Sequence, residues 1–90
     1  MPLFALICHD KPGSLHIRQN TREAHLGFLR QENGVRFAGP LVEDGEMRGS
    51  LIVLEADNLD QAQKWADTDP YKNAGLFAKV QINEWIKVIG

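Results

Sequence analysis

Cysteine is almost missing from this 90-residue chain: Cys8 is the only one. No intrachain disulfide can form, and a zinc site built on clustered thiolates is excluded. Long apolar runs are also missing, since none approaches the roughly 20 residues needed to cross a bilayer. The start Met1-Pro2-Leu3-Phe4 lacks the basic segment and cleavage site of a secretory signal. A cytoplasmic location is therefore the default expectation, and no membrane partner is expected. Basic charge is scarce: 10 Lys and Arg against 12 Asp and Glu give a net charge of -2. Nucleic acid needs a concentrated basic surface, so it is not an expected partner. Gly13 and Gly75 are isolated and build no phosphate-cradling loop. There is no internal repeat, linker or low-complexity stretch. The remaining composition, 43% hydrophobic and 24% charged, is that of a globular protein. Its length predicts one domain over residues 1–90, near the lower limit for a single core.

What is present reads as alternating elements. Residues 3–8 form a short apolar run suited to a strand covered on both faces. A Pro12-Gly13 turn follows, then a helix over 15–33 with Gly34 as its stop. Residues 35–41 read as a strand closed by Gly39-Pro40. The Asp44-Gly45 turn then leads into a returning strand over 47–56. Asn58 caps a second helix with Gln61 in capping-box position, and Leu59, Ala62, Trp65 and Ala66 form its apolar stripe. Asp69-Pro70 opens a short helical turn, because proline suits the first helical position. The last strand is expected over 77–88. The order β-α-β-β-α-β is the ferredoxin-like pattern, an α+β protomer with an antiparallel four-stranded sheet and both helices on one face. The other face has no cover within the chain. Leu3–Cys8 and Leu51–Leu54 are apolar at consecutive positions, and alternation puts Trp85 on that uncovered side. A homodimer with its sheets packed face to face is the expected solution.

At about 100° per residue, the first helix places His25 between two apolar groups. Ala24, Ile17 and Phe28 lie on one side, and Leu29, Leu15 and Leu26 on the other. Arg18 and Arg22 lie on the His25 side, towards the helix start. A half-buried imidazole needs a partner for each nitrogen that it hides from water. A backbone carbonyl would satisfy a purely structural histidine; a carboxylate would suggest an acid–base site. Asp69 is the candidate carboxylate, although Asp before Pro is also a routine helix cap. Ser50, after Gly49, could hold a ligand by its hydroxyl but sits in no nucleophile motif. Tyr71 reads as a pocket wall or a packing residue. His9-Asp10 ends the first strand, where adjacent side chains point apart, and His16 falls on the solvent face. No two histidines stand at i, i+4, so a metal-dependent site is not expected, and haem binding has no support.

Arg22-x-x-His25-Leu26, Ala38-Gly39-Pro40, Gly49-Ser50 and Asp69-Pro70-Tyr71-x-x-Ala74-Gly75-Leu76-Phe77 together resemble the YCII-related (YciI-like) family, in matching order over the whole chain. The Asp-Pro-Tyr motif is the specific part. The resemblance implies a dimeric α+β barrel with an active site by the dimer interface, built around a His–Asp dyad. His25 and Asp69 match those catalytic positions, with Arg22 and Ser50 where pocket residues would be expected. It also implies chemistry on substituted aromatic compounds, by proton transfer with elimination.

Two functions follow as expectations. The first is a lyase- or isomerase-like enzyme with no cofactor. His25 would move a proton on a small cyclic oxygenated substrate and Asp69 would fix its tautomer. Arg22 or Arg18 would hold an anionic group, with Ser50 and Tyr71 as further substrate contacts. The second is a small-molecule-binding or accessory module that uses the same pocket without chemistry.

Overall fold

Two strand–helix units meet around one antiparallel sheet in the computed structural model, which describes residues 1–90. In chain order the elements are β1 (Leu3–Asp10), α1 (Leu15–Gln31), β2 (Val35–Glu43), β3 (Glu46–Glu55), α2 (Leu59–Ala66), α3 (Pro70–Asn73) and β4 (Phe77–Trp85). The sheet order is β2-β3-β1-β4, with every neighbouring pair antiparallel. This is the ferredoxin-like arrangement expected from the pattern. No helix is long and apolar enough to cross a membrane.

Alternation along the strands separates two faces. Phe4, Leu6, Ile52 and Leu54 are buried on the helix-covered face, where Ala62 and Ala66 of α2 close the core and Leu29 of α1 adds to it. On the opposite face Leu3 pairs with Trp85, Ala5 with Val53 and Ile7 with Leu51. No element of the chain covers that side. Leu59, assigned to the apolar stripe of α2, is instead exposed, because it sits in the helix's first turn beyond the sheet's reach.

Several element boundaries differ from expectation for identifiable reasons. β4 stops at Trp85 rather than at residue 88, because its partner β1 begins at Leu3, opposite Trp85. β2 continues through Gly39-Pro40 to Glu43. It is an edge strand, where a missing N–H need not break a ladder. α1 ends at Gln31, and Gly34 is not a left-handed cap. Its role is steric: a Cβ there would lie 2.4 Å from the Glu55 carbonyl oxygen. The Asp44-Gly45 turn does take positive φ at both residues, 52° and 78°, as a two-residue hairpin requires.

The largest departure is in α1. Its fully buried residues are Arg18 and His25, two turns apart, while Ala24 is exposed and the leucines are half-buried. The middle of the helix does not lie flat on an apolar sheet. It spans a hollow above β2 and β3, and polar side chains reach into it.

Candidate active site

Asp69 organises the site through a backbone requirement. It is the N-cap of α3, extended at φ -62° and ψ 127°, and its Oδ1 accepts the Tyr71 N–H at 2.9 Å. Pro70 at the first helical position fixes the turn that brings the carboxylate inward. The same Oδ1 lies 2.9 Å from His25 Nδ1, with both side chains buried. Cap and imidazole therefore share one oxygen. A carboxyl oxygen has two lone pairs and can accept both bonds. In the neutral imidazole this puts the proton on Nδ1 and leaves the lone pair on Nε2. Nε2 has no partner in the chain, and no unpartnered polar atom is sealed from solvent, so Nε2 opens into the hollow that His25 lines.

Tyr71 follows from the same cap. Its ring stacks on His25 with centroids 3.9 Å apart and planes at 17°, and Phe77 meets it edge-on. The Arg18 guanidinium lies 4.7 Å from the Tyr71 ring centroid. Arg18 and His25 are seven residues apart on α1, about 10 Å along the axis, so the ring is gripped between them. The Tyr71 hydroxyl has no partner in the chain and is likewise open to the hollow. Burial is the main influence on this phenol. With the nearby Asp69 and Asp10 charges it outweighs Arg18 and Arg22 and raises the pKa, keeping the hydroxyl protonated.

Arg18 is held by Asp10, at 2.7 Å from Nε and 2.9 Å from Nη2, and it donates to Ser50 Oγ at 2.9 Å. Burial pulls its pKa down, but the Asp10 hydrogen bonds and charge override this and hold it above the usual arginine range. Asp10 is the residue that the sequence undervalued. It continues the inward series Phe4, Leu6, Cys8 at period two, while His9 points to the other face and is exposed. That alternation, with an arginine in the first turn of the following helix, was the available signal. Cys8 lies beneath the site, next to Ser50 on β3. Burial pushes its thiol up to about 12, aided by Asp69 and Asp10 against Arg18. It is core packing beneath the hollow, and its thiol stays protonated.

The hollow itself has a volume of about 250 Å³. Arg18, Arg22, His25, Ser50 and Tyr71 supply its polar groups, while Leu26, Leu29, Met47 and Ile52 supply apolar wall. Arg22 is exposed and forms no ion pair. A larger, more open depression of about 430 Å³ lies near Met1, Glu32, Lys64 and Trp65. No buried polar network faces it, so size alone does not make it the site. His16 is exposed and joins neither.

Comparison with known proteins places this architecture. A profile of the YCII-related domain matches residues 2–86. Protein YciI of Escherichia coli O6:H1 is 34% identical over 96 aligned positions, covering 96% of this chain and 98% of that protein. A Haemophilus influenzae protein is 34% identical over 95 positions, covering 94% and 97%. Among solved structures, the 5-chloro-2-hydroxyhydroquinone dehydrochlorinase of Burkholderia phenoliruptrix AC1100, in complex with 2,5-dihydroxybenzoquinone, matches with a TM-score of 0.86. It is 32% identical, with 93% of each chain covered. SnoaB, a cofactor-independent oxygenase from Streptomyces nogalater, is 10% identical at a TM-score of 0.63, covering 99% and 95%, and shares the fold alone. The fold is that of the dimeric α+β barrel proteins. With the domain profile and one-third identity both running almost end to end, the chain belongs to the YCII-related family.

Proposed function

We propose that this protein is an acid–base enzyme of lyase or isomerase type, acting without a cofactor on a small cyclic oxygenated compound. His25 Nε2 is the proton carrier, and Asp69 holds the tautomer and stabilises the imidazolium that forms. The observation that carries this reading is the 2.9 Å His25–Asp69 contact, buried on the carboxylate side and open at Nε2. A histidine satisfied only by main chain would have had no such polarity.

The dehydrochlorinase among the similar structures supports an elimination on a hydroxylated ring. On a halogenated hydroxyquinol the steps balance without an external oxidant. A proton moves from a ring hydroxyl to the carbon bearing the halogen, making that carbon tetrahedral. Loss of a second hydroxyl proton to Nε2 then expels halide with its bonding pair. The ring becomes a quinone, the C–halogen bond is replaced by C–H, and net hydrogen halide is released. In this reading the hydroxyls of Ser50 and Tyr71, which both line the hollow, hydrogen-bond ring oxygens.

The reading includes a homodimer. Phe37, Leu51 and Trp85 are 57%, 38% and 38% exposed, and the latter two share the uncovered sheet face with Leu3, Ala5 and Ile7. Packing two such faces together would bury this apolar surface.

The test is halide release from a panel of halogenated hydroxyquinols by wild type and His25→Ala. General acid–base catalysis contributes about 10²–10⁴-fold, and a loss of that order is expected. Undiminished release by the variant would eliminate His25 as catalyst.

A further inference from the structure

The substrate class of this site can be narrowed, on the assumption that the acid–base reading holds. We infer that the cavity takes a ring compound that arrives already ionised, an enolate or phenolate, and that Arg22 is the receptor for its charge.

Charge is the first argument. In a chain of net charge -2, the cavity wall holds two guanidinium groups and an imidazole and no carboxylate. Asp10 neutralises Arg18 through two hydrogen bonds. Asp69 is buried behind His25 and is not part of the wall. Arg22 is left as the exposed cation, without an ion pair. It precedes His25 by three residues on α1, a spacing that puts two side chains about 5–6 Å apart at Cβ. Arg22 and His25 therefore sit on the same stretch of α1, and both line the one hollow.

Hydrogen-bond polarity is the second, independent argument. Ser50 Oγ already accepts from Arg18, so its remaining capacity includes its own O–H donor. The Tyr71 hydroxyl is unpartnered and stays protonated, and Arg22 is donor-only. The imidazole, with Nδ1 committed to Asp69, presents the basic acceptor. Such a wall suits a ligand rich in acceptor oxygens, with one acidic hydrogen directed at Nε2. A polyol with as many donors as acceptors would leave O–H groups unmatched, and a cation would be repelled. An apolar cavity of about 150 Å³ holds benzene. The 250 Å³ here fits one ring with its oxygens, set against Leu26, Met47 and Ile52.

The probe is 2,5-dihydroxybenzoquinone, an acidic ring that is ionised at neutral pH, and hydroquinone is the neutral comparator. Calorimetric titration at low salt should show wild type binding the ionised ring at least about 10-fold more tightly, as expected for one charge-assisted contact. Arg22→Gln should abolish that preference, and Arg22→Lys should restore part of it. His25→Asn should keep the preference while losing halide release. Arg22→Gln binding the ionised ring as wild type does would overturn the assignment. Wild type binding hydroquinone as well as the ionised ring, or binding neither, would overturn it too. Full halide release by His25→Asn would remove the acid–base reading but leave the charge preference at Arg22 in place.

Discussion

Asp69 links backbone and chemistry in one oxygen: its Oδ1 starts α3 and orients His25. Asp69→Asn preserves shape but replaces a pure acceptor by a group that can also donate. It should lower turnover by about 10²-fold or more, as loss of an orienting carboxylate does in triads. Steady-state kinetics with folding checked by circular dichroism would decide it. Full activity in that variant would show that the carboxylate only caps. Tyr71→Phe retains the stack on His25 and removes the hydroxyl, so its effect should fall on kcat/KM with little change in stability. Cys8 gives the pH prediction. Its folded pKa is raised towards about 12, so the fold favours the neutral thiol. The resulting stability is complete below the ordinary thiol range of about 8.5 and is lost as pH rises towards the folded value. Tyr71, also raised, acts in the same direction from the ordinary phenol range of about 10 upward. Urea midpoints should therefore decline in alkali, less steeply in Cys8→Ala, and a thiol reagent at pH 8 should label Cys8 only after unfolding. At this scale the sequence placed His25 inward and Asp69 at a helix start. Their contact depends on how α1 and α3 pack, which no periodicity encodes. Asp10 was missed because its role needs the Arg18 partner across a loop.

At the scale of elements, patterns of residues with one local job were the most legible. The Asp44-Gly45 hairpin, the Asn58 cap accepting Gln61 N–H at 2.9 Å, and Pro70 at the start of α3 all lie where local chemistry puts them. Ends that depend on a neighbour were not legible, as the stop of β4 opposite Leu3 shows. Nor was the burial of α1, because an amphipathic count cannot see a hollow beneath a helix. Gly49 was legible as a strand glycine that permits close approach of another group. Its backbone φ is ordinary, but a Cβ there would lie 2.4 Å from the Cys8 carbonyl oxygen. Gly49→Ala must push β1 and β3 apart directly beside Ser50. Overpacking typically costs about 1–3 kcal/mol, and that loss is expected in urea unfolding, with weaker ligand binding. A variant as stable as wild type would mean that the strands yield freely there.

For the molecule as a whole, the antiparallel four-stranded sheet followed from the β-α-β-β-α-β order of elements, and the face carrying Leu3, Leu51 and Trp85 from alternation, because period two is exact along a strand. The expectation of a partner copy rests on that face. Leu51→Lys places a charge in its middle and should convert a dimer into a monomer, read by analytical ultracentrifugation. The same variant sedimenting like wild type would place the interface elsewhere. The cavity lies on the other, helix-covered side, between α1 and the β2–β3 hairpin, whereas the family resemblance implied a site by the dimer interface. The most direct test is the nitrogen NMR spectrum of the His25 ring in its neutral form. The account predicts a proton on Nδ1, hydrogen-bonded to Asp69, and a bare Nε2 whose resonance moves when the ionised ring binds. A proton found on Nε2 instead, unmoved by ligand, would contradict it.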